Sequence, residues 1–212
     1  QYVGEATVPH SFLKAPYFKP AGYPDGVFRV GPLARLNVVA RCGTEAADAE
    51  FTEYHQRYGA VVQSSFHYHH ARLVEILFCI ERMEQLLQDP VILDRHVRAH
   101  AGVNALEGIG MSEAPRGTLI HHYKVNEDGA ITWANLIIAT GNNNLAIGRS
   151  IQQVSQHFVD GKRLQDGMLN RVQAVLRAYD PCLSCSTHAT GQYPVEVQLV
   201  DTDGSVLDSV RN

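Results

Sequence analysis

The chain has 212 residues, 45% of them hydrophobic and 19% charged, with a formal net charge of −4 at pH 7. This length is sufficient for one globular domain. The composition offers no basic face for a nucleic acid, no apolar run of membrane-spanning length, and too few cysteines for a disulfide framework. The first residues lack the basic and apolar stretches of a secretion signal, so we expect a cytoplasmic protein.

The first half of the chain is predicted to contain one dominant helix. Residues 1–44 are expected to be irregular, because prolines and glycines interrupt every short apolar run. The pattern then becomes helical, and the strongest helix is predicted at about Ser64–Gln88, where apolar residues recur at three- and four-residue steps. Ser64 or Ser65 is the expected N-cap, and Pro90 ends the helix because proline clashes with a continuing turn.

A glycine-punctuated segment and a β-hairpin follow. Gly102–Gly117 carries several glycines and predicts no element of its own. The hairpin is predicted from strands at Thr118–Val125 and Ala130–Ala139, joined by the turn residues Asn126–Gly129.

The last part of the chain predicts two more helices and a weak pair of strands. The helices span roughly Asn143–Val159 and Leu164–Tyr179. After Ala189, alternating apolar residues surround a turn at Thr202–Gly204. The elements together predict an α+β fold that is mainly α, in which long packed helices carry a small antiparallel hairpin.

A cysteine motif follows directly on the last predicted helix. In Asp180–His188, Cys182 and Cys185 stand three positions apart, so both sulfurs can converge on one ion, and His188 lies three residues further on. Paired thiolates suit zinc, nickel, copper or iron–sulfur clusters, while a redox pair or inert thiols are the alternatives. A closed metal site needs more ligands, and the two other cysteines form no second pair of this kind. Two thiolates must therefore come from elsewhere.

A second candidate is the arginine in Glu113–Gly117. Pro115 stiffens the chain and Gly117 permits close backbone contact, so we expect Arg116 to be held in a fixed pose. Its planar, permanently charged fork suits an anion or a polarised ligand in a dry cavity. An exposed loop arginine is the alternative.

A third candidate is the end of the second hairpin strand. Leu136–Asn142 delivers Thr140 and Gly141 to the start of a helix, where free N–H groups and a hydroxyl form a cradle for an anion or ligand. Simple N-capping by Thr140 is the alternative.

Histidines are dense in two places, but neither group has an acidic or cysteine partner at ligand spacing. We therefore expect solvated or internally satisfied side chains rather than metal ligands. These residues are His67, His69, His70, His121 and His122.

Taken together, these motifs resemble the large subunit of nickel-iron hydrogenases. DPCLSCSTHA is similar to the C-terminal signature of that family, SEAPRGTLIHHY to its buried-arginine segment, and LIIATGNNN to its ligand-cradling strand end. GYPDGVFRVGPLARLN near the start also fits, so the resemblance covers essentially the whole chain. The likeness is greatest to the cytoplasmic, bidirectional subgroup that couples hydrogen to NAD.

The resemblance implies a metal-ligand set. Cys182 corresponds to the terminal nickel thiolate, and Cys185 to the thiolate that bridges nickel to an iron carrying carbonyl and cyanide ligands. His188 and the backbone carbonyl of Leu136 correspond to ligands of a nearby magnesium ion.

The resemblance also implies roles around those metals. Arg116 corresponds to the arginine suspended over the open metal position, where it touches a cyanide and serves as a base, and Asp180 to its carboxylate partner. Thr140 corresponds to the donor of a hydrogen bond to the other cyanide. Cyanides in an apolar cavity require such donors.

The chain departs from the family pattern in three ways. The N-terminal CxxC motif, with the two remaining nickel thiolates, is absent, and Ala139 stands where many relatives have proline. The chain also continues beyond His188, where mature members of the family end. We expect residues 1–188 to form the C-terminal portion of a large-subunit-like domain, and residues 189–212 to be an extension that a dedicated maturation endopeptidase removes.

The expected activity of the full-length subunit is reversible, heterolytic oxidation of dihydrogen. Electrons would leave through the iron–sulfur cluster of a small subunit towards NAD-reducing diaphorase subunits, with no nucleic acid and no membrane span involved. The isolated chain is expected to be inactive, because two thiolates cannot hold the bimetallic centre. A non-catalytic metal-binding fragment, an assembly intermediate and a structural zinc-binding domain are the alternatives.

Overall fold

The structure, a computed structural model, describes residues 2–7, 13–100, 102, 104–182 and 196–211. Within these ranges the chain forms five α-helices and seven β-strands. The helices are α1 (Pro32–Val38), α2 (Glu45–Tyr58), α3 (His67–Leu87), α4 (Ala139–Phe158) and α5 (Asp166–Tyr179). The strands are β1 (Val3–Thr7), β2 (Lys14–Phe18), β3 (Glu107–Ala114), β4 (Gly117–Val125), β5 (Ile131–Ile137), β6 (Glu196–Val200) and β7 (Val206–Arg211).

More of these residues lie in helices than in strands, which confirms the predicted α+β, mainly α fold class. The chain divides into two compact units. One unit is Val30–Ala139, and the other combines Gln1–Arg29 with Thr140–Asn212. None of the helices in the described ranges combines the length and the apolar character needed to cross a membrane.

In the Val30–Ala139 unit, α3 is the central helix, and α1 and α2 both pack against it. The helix predicted from apolar spacing is therefore confirmed. Its buried face presents Tyr68, Ala71 and Val74, each at most 2% exposed. The predicted serine N-cap is wrong: Phe66 occupies that position, in helical backbone geometry and without a side-chain cap, because a tight turn already precedes the helix.

The same unit contains an antiparallel sheet with the strand order β3–β4–β5. The hairpin of β4 and β5 confirms the prediction, and Gly129 has a positive φ of 80° in the turn between them. The glycine-punctuated segment was expected to be a loop, yet half of it forms β3. Pairing with β4 outweighs the low strand preference of glycine there, because Gly108 and Gly110 lie opposite the large rings of Tyr123 and His121.

In the other unit, α4 and α5 confirm the two late helices, and β6 and β7 confirm the C-terminal strand pair. The backbone N–H of Leu164, just before α5, donates to Asp208 of β7 at 2.9 Å.

The expectation of an irregular first segment is wrong, because β1 pairs with β2 and α1 follows further on. Pro16 is tolerated in β2 since, among the described strands, β2 pairs with β1 alone.

Candidate functional site

The cysteine motif begins where α5 ends. Asp180 takes the left-handed conformation, with φ 51° and ψ 53°, and its backbone N–H donates to the carbonyl of Arg177 at 3.2 Å. Pro181 then prevents a further helical turn. The chain therefore leaves α5 sharply, and Cys182 follows two residues after Asp180 in a half-buried position.

Cys182 is tied to the beginning of α4. Its backbone N–H donates to Oγ1 of Thr140 at 3.1 Å. Thr140 is only 3% exposed, and Asn142 and Asn143 beside it are 3% and 2% exposed, so the first turn of α4 buries three polar side chains. Thr140 lies inside this turn and bonds to the cysteine motif instead of serving as an N-cap. The prediction that this strand end forms a cradle is consistent with that arrangement.

Arg116 lies in the tight turn between β3 and β4. An added Cβ on the buried Gly117, whose φ is 132°, would come within 2.2 Å of Cγ2 of Val30, so the close backbone contact expected there is confirmed. Arg116 itself is exposed in this chain. The turn is thus fixed at its backbone, while the burial of the guanidinium group remains a prediction.

The remaining predicted site residues are distributed as follows. Leu136 lies in β5 opposite His121 and is 43% exposed. Cys185 and His188 lie outside the residues that the structure describes. The magnesium ligands and the second thiolate therefore remain predictions, as does the pairing of Arg116 with Asp180.

The histidines contact neighbouring side chains, but the buried Nδ1 of His67 has no hydrogen-bond partner among the described residues, which differs from the expected internal satisfaction. His67 stacks on Tyr58 at 4.1 Å between ring centroids, and His121 lies 2.9 Å from the hydroxyl of Tyr123. His122 contacts Glu107 at 2.7 Å. No group of three or more potential metal ligands is found among the described residues.

Cys42 is a half-buried free cysteine in the Val30–Ala139 unit. Burial raises the pKa of its thiol to about 11, and the negative charges of Asp48 and Glu75 act in the same direction. The free thiol of Cys42 is therefore less acidic than that of an ordinary cysteine.

Sequence reasoning missed one ionic cluster close to Arg116. Arg35 of α1 contacts Glu75 of α3 at 2.6 Å and Glu113 of β3 at 2.8 Å. A signal for it exists in the sequence, because Glu75 interrupts an apolar helical run and Arg35 is flanked by apolar residues. Charged groups in such positions require partners of opposite sign.

Comparisons with known proteins show similarity to hydrogenases. Residues 3–188 match the protein family described as nickel-dependent hydrogenase. The chain is 41% identical to an iron-sulfur subunit of the F420-non-reducing hydrogenase of Archaeoglobus profundus, covering 100% of this chain and 45% of that protein. It is 39% identical to the beta subunit of the NAD-reducing hydrogenase HoxS of Cupriavidus necator, covering 98% of this chain and 43% of that protein.

A solved structure shares the fold. The crystal structure of an NAD+-reducing NiFe hydrogenase in the hydrogen-reduced state has a TM-score of 0.83 and 42% identity, covering 89% of this chain and 42% of the other. This chain therefore spans less than half the length of the relatives that it matches.

Proposed function

This chain belongs to the nickel-dependent hydrogenase family, and from that premise we propose that it is the C-terminal portion of a hydrogenase large subunit. The observation that carries the proposal is the family match over residues 3–188, which includes the complete cysteine motif and stops at its histidine. The proposed activity of the full-length subunit is reversible, heterolytic oxidation of dihydrogen.

An exposed apolar row on α3 supports a longer subunit. Its members recur at steps of three and four residues, and each is between 48% and 72% exposed: Leu73, Ile76, Ile80, Met83 and Leu87. Monomeric proteins rarely expose such a continuous apolar surface, and the spacing is that of a helix–helix seam. Because the relatives are more than twice as long as this chain, we propose that a helix from the rest of the large subunit covers the row.

Cys182 is disulfide-bonded in this structure, and once reduced it fits a nickel centre, because thiolates are suitable ligands for nickel and the cysteine backbone is held by a buried hydroxyl. Cys182 and Cys185 would hold nickel, and Cys185 would also hold an iron that carries carbonyl and cyanide ligands. His188 and the carbonyl of Leu136 are assigned to magnesium. When bound, the nickel–iron pair supplies the Lewis-acid chemistry that polarises dihydrogen.

The protein side chains then have three tasks. Arg116 would take up the proton at a nitrogen of its neutral guanidine form, which then becomes the guanidinium, and the carboxylate of Asp180 would orient this group and offset its charge. Thr140 would have a double role, because its oxygen accepts the backbone N–H of Cys182 and its own O–H would be available to a cyanide on the iron.

The proposed partners follow from the relatives. Two of them are named as NAD-reducing hydrogenases, which supports a small subunit with an iron–sulfur cluster, diaphorase subunits and NAD as electron acceptor in the cytoplasm. The relative from Archaeoglobus profundus is named only for not reducing F420, so NAD coupling needs its own test. We further propose that a maturation endopeptidase removes residues 189–212, leaving His188 as the last residue.

The test uses the full-length subunit in its complex and, separately, the isolated chain. Under hydrogen, the complex should reduce both NAD and an artificial dye. Reduction of the dye but not of NAD would contradict the NAD coupling, and reduction of neither by a nickel-loaded complex would contradict the hydrogenase activity. The isolated chain should reduce neither acceptor, and dye reduction by it would contradict the requirement for two further thiolates.

A further inference from the structure

Arg35 uses all five N–H donors of its guanidinium group. Nε and Nη2 donate to the two carboxylate oxygens of Glu75 at 2.6 and 2.7 Å, which is a bidentate pair. Nη1 donates to Glu113 at 2.8 Å and to the carbonyl of Ala114 at 3.0 Å, and Nη2 donates also to the carbonyl of Pro115 at 2.9 Å. Because arginine carries five N–H bonds, this set saturates the side chain.

Three of these five acceptors belong to the turn that carries Arg116. They are one carboxylate and the two peptide carbonyls that come immediately before Arg116 in the chain. The side chains of Arg35 and Glu75 are only 22% and 21% exposed, so water screens the pair weakly. Burial alone lowers the pKa of Arg35, but the hydrogen bonds and charges of Glu75 and Glu113 outweigh it and raise that pKa above its ordinary value.

The other flank of Arg116 is held by the backbone that leads into α1. An added Cβ on Gly31 would lie 2.9 Å from the carbonyl oxygen of Arg116, and one on Gly117 would lie 2.2 Å from Val30. The carbonyl of Val30 in turn accepts the buried hydroxyl of Tyr68 at 2.9 Å. The peptide groups on both sides of Arg116 are thus packed against elements that α3 anchors.

We propose that Arg35 is a positioning residue for Arg116. Anchored by Glu75 on α3, it fixes the two peptide groups before Arg116, so that the catalytic guanidinium starts from a preset backbone position before any metal is bound. A donor that is already in place needs no reorganisation during turnover. The inference rests on the proposed function only in so far as Arg116 acts at the metal centre, since the contacts of Arg35 are a property of the protein alone.

The test compares Arg35→Lys with Arg82→Lys in the full-length subunit. Arg35→Lys keeps the charge but removes the bidentate fork. Arg82 is an exposed arginine of α3 that donates to Gln85 at 3.0 Å, so its replacement is the matched control. The readouts are amide hydrogen exchange of residues 113–119, measured by mass spectrometry, and the kcat and KM for hydrogen.

We expect Arg35→Lys to accelerate exchange in residues 113–119 at least ~10-fold while the exchange of α2 and α4 stays unchanged, because the loss is a local opening. The kcat should fall ~10-fold with little change in KM, as for a misplaced catalytic group. Arg82→Lys should change none of these values. An unchanged exchange rate in residues 113–119, or an increase spread equally over α2 and α4, would overturn the proposal.

Two further outcomes keep the inference separate from the proposed function. If local exchange accelerates but kcat equals that of the wild type, the positioning role is wrong. If the wild type shows no hydrogen-dependent turnover while local exchange responds to Arg35→Lys, the proposed function fails. The inference that Arg35 fixes the backbone before Arg116 then stands. Should Arg35→Lys not fold, Glu75→Gln removes only the anchoring charge, and an unchanged exchange rate in that variant would also overturn the proposal.

Discussion

The proposed function assigns the Arg116 turn and the Thr140–Cys182 contact to one catalytic centre, and each is held in a different way within its own unit. Arg35 binds the turn through three charge-assisted hydrogen bonds and is itself anchored by a bidentate ion pair. The backbone of Cys182 donates a neutral hydrogen bond of 3.1 Å to Thr140, and its sulfur is disulfide-bonded. Charge-assisted bonds are roughly twice as strong as neutral ones.

This difference indicates that contacts within the protein position the arginine, whereas the position of the cysteine depends also on the metal. The protein alone sets the backbone of the arginine, because that residue has no metal bond to hold it. The cysteine can bind nickel only when its disulfide is reduced, and metal binding and local folding are coupled at such sites. We therefore expect substitutions at the arginine to affect turnover first, and substitutions at the cysteine contact to affect stability and metal retention first.

The largest effect on turnover is expected from Arg116→Lys in the full-length enzyme. Lysine keeps the charge but lacks the planar fork, so kcat should fall by at least ~100-fold while nickel content is retained. Steady-state hydrogen oxidation and metal analysis measure the two quantities, with Arg163→Lys, at an exposed position, as the control. A fall of less than about 3-fold would remove the arginine from the proposed mechanism.

Asp180→Asn should have a smaller effect on turnover. The amide still accepts a hydrogen bond but no longer offsets the charge of Arg116, so kcat should fall roughly 10-fold with metal content intact. The double variant with Arg116→Lys should be hardly slower than Arg116→Lys alone, because residues that act as a unit are not additive. Fully multiplicative losses would show that the two residues do not act together.

Thr140→Val tests the cysteine side of the centre. Valine has a similar shape but cannot accept the N–H of Cys182, and leaving a half-buried donor without its partner costs about 1–3 kcal/mol. Urea unfolding of the metal-free chain should show this loss. Thr132→Val, at an exposed strand position, should cost less than about 0.5 kcal/mol. Equal losses in the two variants would mean that the contact with Cys182 contributes nothing.

The smallest effect is expected on the stability of α3, the helix whose Glu75 anchors Arg35. Glu81 of α3 accepts hydrogen bonds from the backbone N–H groups of Ala46 and Ala47 and from the hydroxyl of Thr44, at the N-terminus of α2. These bonds, the one from Ala46 first, lower the pKa of Glu81 below its ordinary value of 4.5. The stabilisation is therefore present above pH 4.5 and lost as the pH falls through the lowered pKa.

Glu81→Gln should accordingly weaken the fall in unfolding free energy between about pH 5 and pH 3, without changing turnover. Urea unfolding over this pH range measures the effect. Glu84→Gln, an exposed carboxylate one turn further along α3, is the control. An unchanged pH dependence in Glu81→Gln would show that the carboxylate does not stabilise the junction of α2 and α3.

The fold was predictable from sequence where periodicity or turn chemistry is strong, as in α3 and in the hairpin around Gly129. It was not predictable where pairing overrides local preference: Gly108 and Gly110 lie in β3, and Pro16 lies in β2, only because a neighbouring strand is present. Local motifs in the sequence pointed to Arg116, Thr140 and Cys182, whose roles stay predictions.

Spacing could not identify Arg35 as the residue that holds the Arg116 turn. Arg35 of α1 and its acceptor Glu113 of β3 are 78 positions apart in the chain, and only the tertiary structure brings them together. Contacts between such distant residues are set by tertiary structure, on which local sequence patterns carry little information.

Anaerobic metal analysis of the full-length subunit tests most directly the central claim that this chain supplies thiolates to a nickel–iron centre. The wild type should contain nickel and iron together, Cys182→Ser should lose the nickel, and Cys79→Ser, which alters an exposed cysteine of α3, should retain both metals. Zinc alone in the wild type, or full nickel retention in Cys182→Ser, would contradict the claim.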